Sequence, residues 1–331
     1  CLPGETFASF LKTVKQMIDS GIEQLTIYTL MNLNGTPLYD QLKKTPGIIS
    51  KYRIVPRQFS KLGSNYIFDT EEVIVQTPTF SYEDYLETRG LAFVIQTIYN
   101  DSNFPELINF LRENNISIYD WLIEIHSKIK LLGNITSEQL SSFLWETEQE
   151  LWESEEELQN YYSQDQNYNK LISGELGGNL LSKYTYLSRF NGFKPWLEVT
   201  LDSAKLLLIN SRNSLSKKKI ETLMQDFSSF YTHSRDIGRL FKDDNFLASI
   251  QKEPPIIKLT YDIPSWSTKT DRSSLIKFQQ NHGNYSMHYS EEQLTNIQTI
   301  ASQDPNEQSV KLQYIIKGHT RDFWATGTKI H

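Results

Sequence analysis

The strongest constraint on this chain is a glycine-proline turn, Cys1-Leu2-Pro3-Gly4-Glu5-Thr6, that runs straight into an amphipathic stretch. Phe7, Phe10, Leu11, Val14, Met17 and Ile18 recur at helical spacing and form one apolar stripe. Asp19-Ser20-Gly21 ends this helix, with Gly21 suited to the left-handed cap position. Leu25, Ile27 and Leu30, interleaved with Thr26 and Tyr28, read as a strand covered on both faces, the pattern of a parallel α/β sheet. A second turn follows at Asn34-Gly35-Thr36-Pro37-Leu38. Turn, helix, strand and turn make the back half of a β-α-β unit, so the chain reads as a fragment entered in mid-motif. Ligands bind at the carboxyl edge of such strands, which singles out Leu30 and Met31.

Residues 40 to 80 read as a transition, punctuated by Pro46-Gly47, Pro56 and Gly63-Ser64, with a β-branched strand over Glu71 to Thr77. From Ser81 the pattern turns helical. Ser81 with Asp84, Thr136 with Gln139 and Ser154 with Glu157 match the capping box and its acidic variant. Apolar faces at Leu107 to Leu111, Ile118 to Ile125 and Leu140 to Leu151 predict a mainly α region to about residue 245, broken near Gly133, Gly177-Gly178 and Gly192 to Pro195. Glu253-Pro254-Pro255 marks another boundary. Beyond it, strands are expected over Ile256 to Ile263, Tyr285 to Tyr289 and Val310 to Lys317, with a Ser290-capped helix holding Leu294, Ile297 and Ile300. The divisions are therefore 1–45, 46–80, a helical domain over 81–250, and a small α+β module over 251–331.

Chemistry within the chain is tightly bounded. A single Cys among 331 residues excludes an internal disulfide, a paired-cysteine zinc site and a cysteine-ligated cluster held by this chain alone. His126, His233, His282, His288, His319 and His331 make no H-E-x-x-H or H-x-H pair, and no metal ligands are assigned. The acidic stretch from Glu146 to Glu157 reads as an exposed helix face and a helix start. Gly174-Glu175-Leu176-Gly177-Gly178-Asn179 reads as a helix break or hinge, since it follows no strand and is not G-x-G-x-x-G. No G-x-S-x-G elbow supports a serine triad. A net charge of −7 gives no global attraction to nucleic acid or anionic lipid. No apolar run approaches the roughly 18 residues of a membrane span, and a cytoplasmic location is expected.

The opening residues also carry a family resemblance. Leu2-Pro3-Gly4-Glu5-Thr6, the apolar helix, Ile27-Tyr28-Thr29-Leu30 and Gly35-Thr36-Pro37-Leu38 resemble the last part of a radical SAM barrel, whose late strands end in G-L-P-G-[EQ]-T and P-G-T-P-[LF] turns. Cys1 stands where that pattern has Gly, and Asn34 where it has Pro; either keeps a turn. The likeness continues through Lys51-Tyr52-Arg53-Ile54-Val55-Pro56-Arg57, Ser81-Tyr82-Glu83-Asp84-Tyr85-Leu86-Glu87-Thr88-Arg89 and Gly177-Gly178-Asn179-Leu180-Leu181. In that form it is similar to radical SAM proteins with an upstream cobalamin-binding domain.

The resemblance implies an α/β remnant of a (β/α) radical SAM barrel, followed by a mainly helical region and a small C-terminal α+β module. It implies S-adenosylmethionine and a 4Fe-4S cluster for the parent, with cobalamin as a further cofactor, and none of these held stably by the fragment. The cluster-binding C-x-x-x-C-x-x-C would lie upstream, in the missing N-terminal half, which is the expected partner. Cys1 and Leu2 at one strand end, and Leu30 and Met31 at the next, are the implied S-adenosylmethionine contacts, largely through backbone groups. The substrate, a small molecule or peptide, is unassigned, as is any catalytic residue. Two other readings stay open: a helical module that encloses substrate or docks a partner without catalysis of its own, and an unrelated α/β enzyme using the Gly4 turn for a phosphate.

Overall fold

The computed structural model describes residues 2–100, 103–242, 248–250, 252–268, 273–303 and 320–330. The described residues are mostly helical, with two small antiparallel sheets and no closed barrel. It divides into two units, one of residues 1–93 with 140–184 and one of residues 94–139 with 185–331.

The first unit opens as the sequence predicts. Gly4 (φ +80°) turns the chain, with the Glu5 N–H donating to the Leu2 carbonyl at 3.0 Å. Helix α1 (Phe7–Asp19) follows, capped reciprocally by Thr6 and Ser9. Val14 and Ile18 are buried, whereas Met17 on the same stripe is 39% exposed. Gly21, at φ +92°, takes the left-handed position after the helix. The expected two-faced strand over Leu25 to Leu30 is absent: residues 24–30 are irregular, and Tyr28 is 82% exposed. A strand needs a hydrogen-bonded neighbour along its length, and among the described residues the bridge found in this stretch is one antiparallel pair, Met31 with Val73. Gly35 (φ +81°) then turns the chain into α2 (Pro37–Lys44), with Thr36 as its cap.

The segment expected as a transition forms a long hairpin, β1 (Ile49–Leu62) with β2 (Asn65–Gln76). Gly63, at φ +62°, supplies the positive angle that a two-residue hairpin loop accepts at its first position. The ladder breaks at Val55-Pro56-Arg57-Gln58, because Pro56 has no N–H to give and Arg57 sits at φ +64°. The freed Arg57 N–H donates to the Gly177 carbonyl at 3.0 Å. On the outer edge of β1, Tyr52 pairs with Trp152.

Helix α3 (Tyr82–Val94) starts at the Ser81–Asp84 box in both directions, as the sequence predicts. Three more helices serve this unit: most of α6 (Ile135–Gln149), α7 (Glu155–Tyr162) under its Ser154 cap, and α8 (Asp165–Ser173). Two apolar clusters lie within this unit. Val73, Val75, Phe80 and Tyr85 receive Phe7, Phe10 and Met31, while Ile54, Phe68, Leu158, Tyr162, Tyr168 and Leu171 fill the other.

The second unit begins with a π-helical turn (Ile95–Asn100), then α4 (Pro105–Glu113) and α5 (Ile118–Ile129). The Thr136–Gln139 capping box does not form. Asn134 caps α6 through its side-chain oxygen, and Gln139 instead accepts from Trp196 Nε1 at 2.7 Å and donates to the Leu187 carbonyl at 3.1 Å. A buried indole N–H needs an acceptor more than a helix end open to water does. Helices α9 (Leu180–Phe190), α10 (Phe193–Asn210), α11 (Lys217–Ser234) and α12 (Ile237–Lys242) complete the helical region.

An antiparallel sheet of order β3 (Ile256–Tyr261), β4 (Gln279–His288) and β5 (Thr326–Ile330) follows. It is accompanied by α13 (Ile263–Ser267) and by α14 (Glu291–Gln303), which Ser290 and Gln293 cap reciprocally. The expected strand over Val310 to Lys317 lies outside the described residues. β5, with its polar and largely exposed Thr-Gly-Thr-Lys-Ile sequence, was not foreseen.

Candidate functional site

The first unit gathers two polar clusters around the extended segment and the hairpin. The outer one is centred on Glu72 of β2, whose carboxylate accepts hydrogen bonds from Asn32 Nδ2 at 2.8 Å, Lys43 Nζ at 2.8 Å and Ser50 Oγ at 2.5 Å. One side chain thus ties residues 30–32, α2 and β1 together. Burial pulls the Glu72 carboxyl upward, but the hydrogen bonds from Lys43, Ser50 and Asn32 outweigh it and hold the group below the ordinary glutamate range.

Beside this carboxylate the Asn32 N–H donates to the Glu72 carbonyl at 2.7 Å and the Ile74 N–H to the Leu30 carbonyl at 2.8 Å. Met31 and Val73 therefore face each other as a non-hydrogen-bonded antiparallel pair. In that geometry the N–H and C=O of Met31 point away from β2.

The inner cluster joins four charged side chains. Arg53 of β1 donates through Nε to Glu71 of β2 and through Nη1 to Glu150, just past α6, at 2.8 Å. Burial works against the Arg53 charge, but Glu150 and Glu71 raise its pKa, so it stays a cation. Burial pushes the Glu150 carboxyl up against the opposing pull of Arg53 and Arg89. Tyr85, on α3 and 2% exposed, has its hydroxyl raised mainly by burial, with Arg89, Arg53 and Thr29 pulling the other way.

One helical turn on, Arg89 is 9% exposed and lies 5.3 Å from the centre of the Phe143 ring. Its Nε is buried without an acceptor. The acidic stretch, read as an exposed helix face and a helix start, does start α7 with Glu155 to Glu157, but the face before it is engaged: Glu146 holds Lys183 and Tyr184, Glu150 holds Arg53, and Glu153 holds Lys51.

Of the residues singled out from sequence, Leu30 and Met31 sit together on the β2 edge. Leu2 is 54% exposed in the opening turn, which joins this neighbourhood through the Glu5 carbonyl accepting from Thr79 Oγ1 at 2.6 Å. Cys1 lies outside the described residues. The sequence reading missed Asn32, Glu72, Arg53, Arg89 and Glu150. Tyr85 and Arg89 share one face of α3 at i, i+4, and that spacing was the available signal.

The hinge expected at Gly177-Gly178 is pinned at its first residue. Gly177 has φ +66°, its carbonyl receives the Arg57 N–H, and a Cβ there would meet Leu171 Cδ2 at 2.6 Å. No protein-family model matches the chain, and no curated protein matches it.

Proposed function

We propose that this chain is the C-terminal part of a radical SAM enzyme, with residues 1–45 the last part of its barrel and the helices after it an extension. The observation that carries the reading is local. A Gly4 turn, the Thr6-capped α1 and a Gly35 turn follow in the order and residue types of the resemblance, with the irregular residues 24–30 where the resemblance has a strand. In such enzymes, reductive cleavage of S-adenosylmethionine supplies a 5′-deoxyadenosyl radical that abstracts hydrogen from the substrate. Backbone contact with S-adenosylmethionine fits Met31, whose N–H and C=O point away from β2. It fits Leu30 less well, because its carbonyl already accepts from Ile74.

The 4Fe-4S cluster does not fit this chain. One Cys cannot furnish three or four thiolates, so the cluster, like cobalamin, belongs to the rest of the parent. The test is to read the encoding DNA upstream of Cys1. C-x-x-x-C-x-x-C within about half a barrel's length supports the reading, and an intact frame without it overturns it. In parallel, anaerobic reconstitution of this chain with iron and sulfide should yield no stoichiometric cluster absorbance.

A further inference from the structure

Arg89 is a buried cation that its own protein leaves incompletely satisfied. A guanidinium carries five donors, and burying it without acceptors is costly. Yet both carboxylates of the cluster are drawn to Arg53, Glu71 to its Nε and Glu150 to its Nη1. Among the described residues Arg89 receives neither carboxylate, and its Nε has no acceptor at all. What faces it is the Phe143 ring at 5.3 Å, which attracts a cation but accepts no directional hydrogen bond as a carboxylate does. The cluster is not sealed, because the Glu150 side chain is 23% exposed and that of Arg53 17%.

We infer that Arg89 anchors the carboxylate of a small organic acid, or of a ligand bearing one, beside Tyr85 and Glu150. A planar monoanion can take two parallel N–H bonds from the guanidinium fork. Phosphate is disfavoured: with Glu71 and Glu150 close by and both drawn to Arg53, a dianion would bring one more negative charge than a carboxylate into a poorly solvated place. The site rests on these side chains alone and survives failure of the radical SAM reading.

The test is an NMR titration of the Arg Nε–Hε resonances of the whole chain with sodium acetate, sodium phosphate and sodium chloride at constant ionic strength. R89M identifies the Arg89 signal by its loss. Acetate should shift that signal saturably, chloride should not, and phosphate should bind at least about tenfold more weakly, the scale of one lost charge-assisted bond. In R89K, with the fold checked by circular dichroism, acetate binding followed at the Tyr85 ring should weaken by a similar factor. Should R89M fail to fold, R89K identifies the signal equally well. A response to acetate no different from that to chloride means that only water meets Arg89, and overturns the proposal. So does phosphate binding as tightly as acetate, or acetate binding unchanged in R89K.

Discussion

Each unit buries an arginine against glutamate, and the two do it differently. In the second unit Glu106, in the first turn of α4, uses both oxygens: Oε1 takes Arg235 Nη2 at 2.9 Å and Oε2 takes the Tyr231 hydroxyl at 2.9 Å. That hydroxyl accepts the Leu107 N–H at 3.0 Å. The Arg235 guanidinium lies 3.7 Å from the Trp324 ring centre and 5.4 Å from that of Phe230. Burial drives the Tyr231 hydroxyl well above its ordinary value, with Glu106 adding to the rise, so it stays a neutral donor.

Arg235 also leaves Nε without an acceptor, but it is paired with Glu106 and has two rings close by. In the first unit two glutamates converge on Arg53 and leave Arg89 with a ring alone. The closed arrangement is what a structural lock requires. The open one has capacity to spare, and that is what points to a ligand.

The largest test of the contrast is to remove a carboxylate from each cluster. E106A leaves Arg235 buried and unpaired, and should cost about 3–5 kcal/mol in urea unfolding. E71A acts on a pair whose side chains are 17% and 13% exposed, and should cost no more than about 1–2 kcal/mol. Equal losses would erase the distinction between lock and open cluster.

Glycines give the next largest effect, and again the units differ. Gly238 lies against the end of α9, where an added Cβ would meet the Phe190 carbonyl oxygen at 2.1 Å, and backbone cannot rotate away. Gly177 would meet the movable tip of Leu171 at 2.6 Å, with the positive φ as a second strain. G238A should therefore destabilise by about 3 kcal/mol or more. G177A should cost about 1–3 kcal/mol, and G178A, whose Cβ meets nothing within 4 Å, far less. Because Gly177 is pinned by Arg57, G177A should act through stability and not as the stiffening of a hinge. A large G178A effect without loss of stability would restore the hinge.

R89M is expected to fall below both. It breaks no ion pair and removes a buried charge, so stability should change by less than about 1 kcal/mol or rise slightly. A loss as large as that of E106A would show Arg89 to be a lock of the Arg235 kind.

Local signals carried the sequence reading as far as it went. Gly4, Thr6 and Gly21 bracket α1; Ser81 with Asp84, and Ser290, start helices; the β-branched run at Glu71 to Thr77 lies almost wholly within β2. Each depends on residues a few positions apart. The clusters were not legible, because Asn32 with Glu72 and Arg53 with Glu150 are joined only by tertiary folding, and a charged residue in a list of charges reads as solvated. The Thr136 box failed for the same reason. Trp196, far along the chain, claims Gln139.

The smallest effect separates the two glutamates of the first unit by sign. Glu72 is held below the ordinary value near 4.5, so its contribution to stability is present above that pH and is lost as pH falls through its lowered folded value. Glu150 is pushed above the same value, so its contribution is complete below it and is lost as pH rises through the raised folded value. Thermal melts of the chain and of E72Q, compared from neutral pH to well below 4.5, should show a constant difference above 4.5 that closes as pH falls through the lowered folded value. For E150Q the gap should move the other way, with the variant gaining on the parent chain as pH rises from below 4.5 toward neutrality. If both variants drift in the same direction, the lowering at Glu72 or the rise at Glu150 is absent. A flat E150Q difference would mean that Arg53 and Arg89 together cancel the burial of Glu150, leaving Arg89 electrostatically satisfied and removing the reason to expect a carboxylate there.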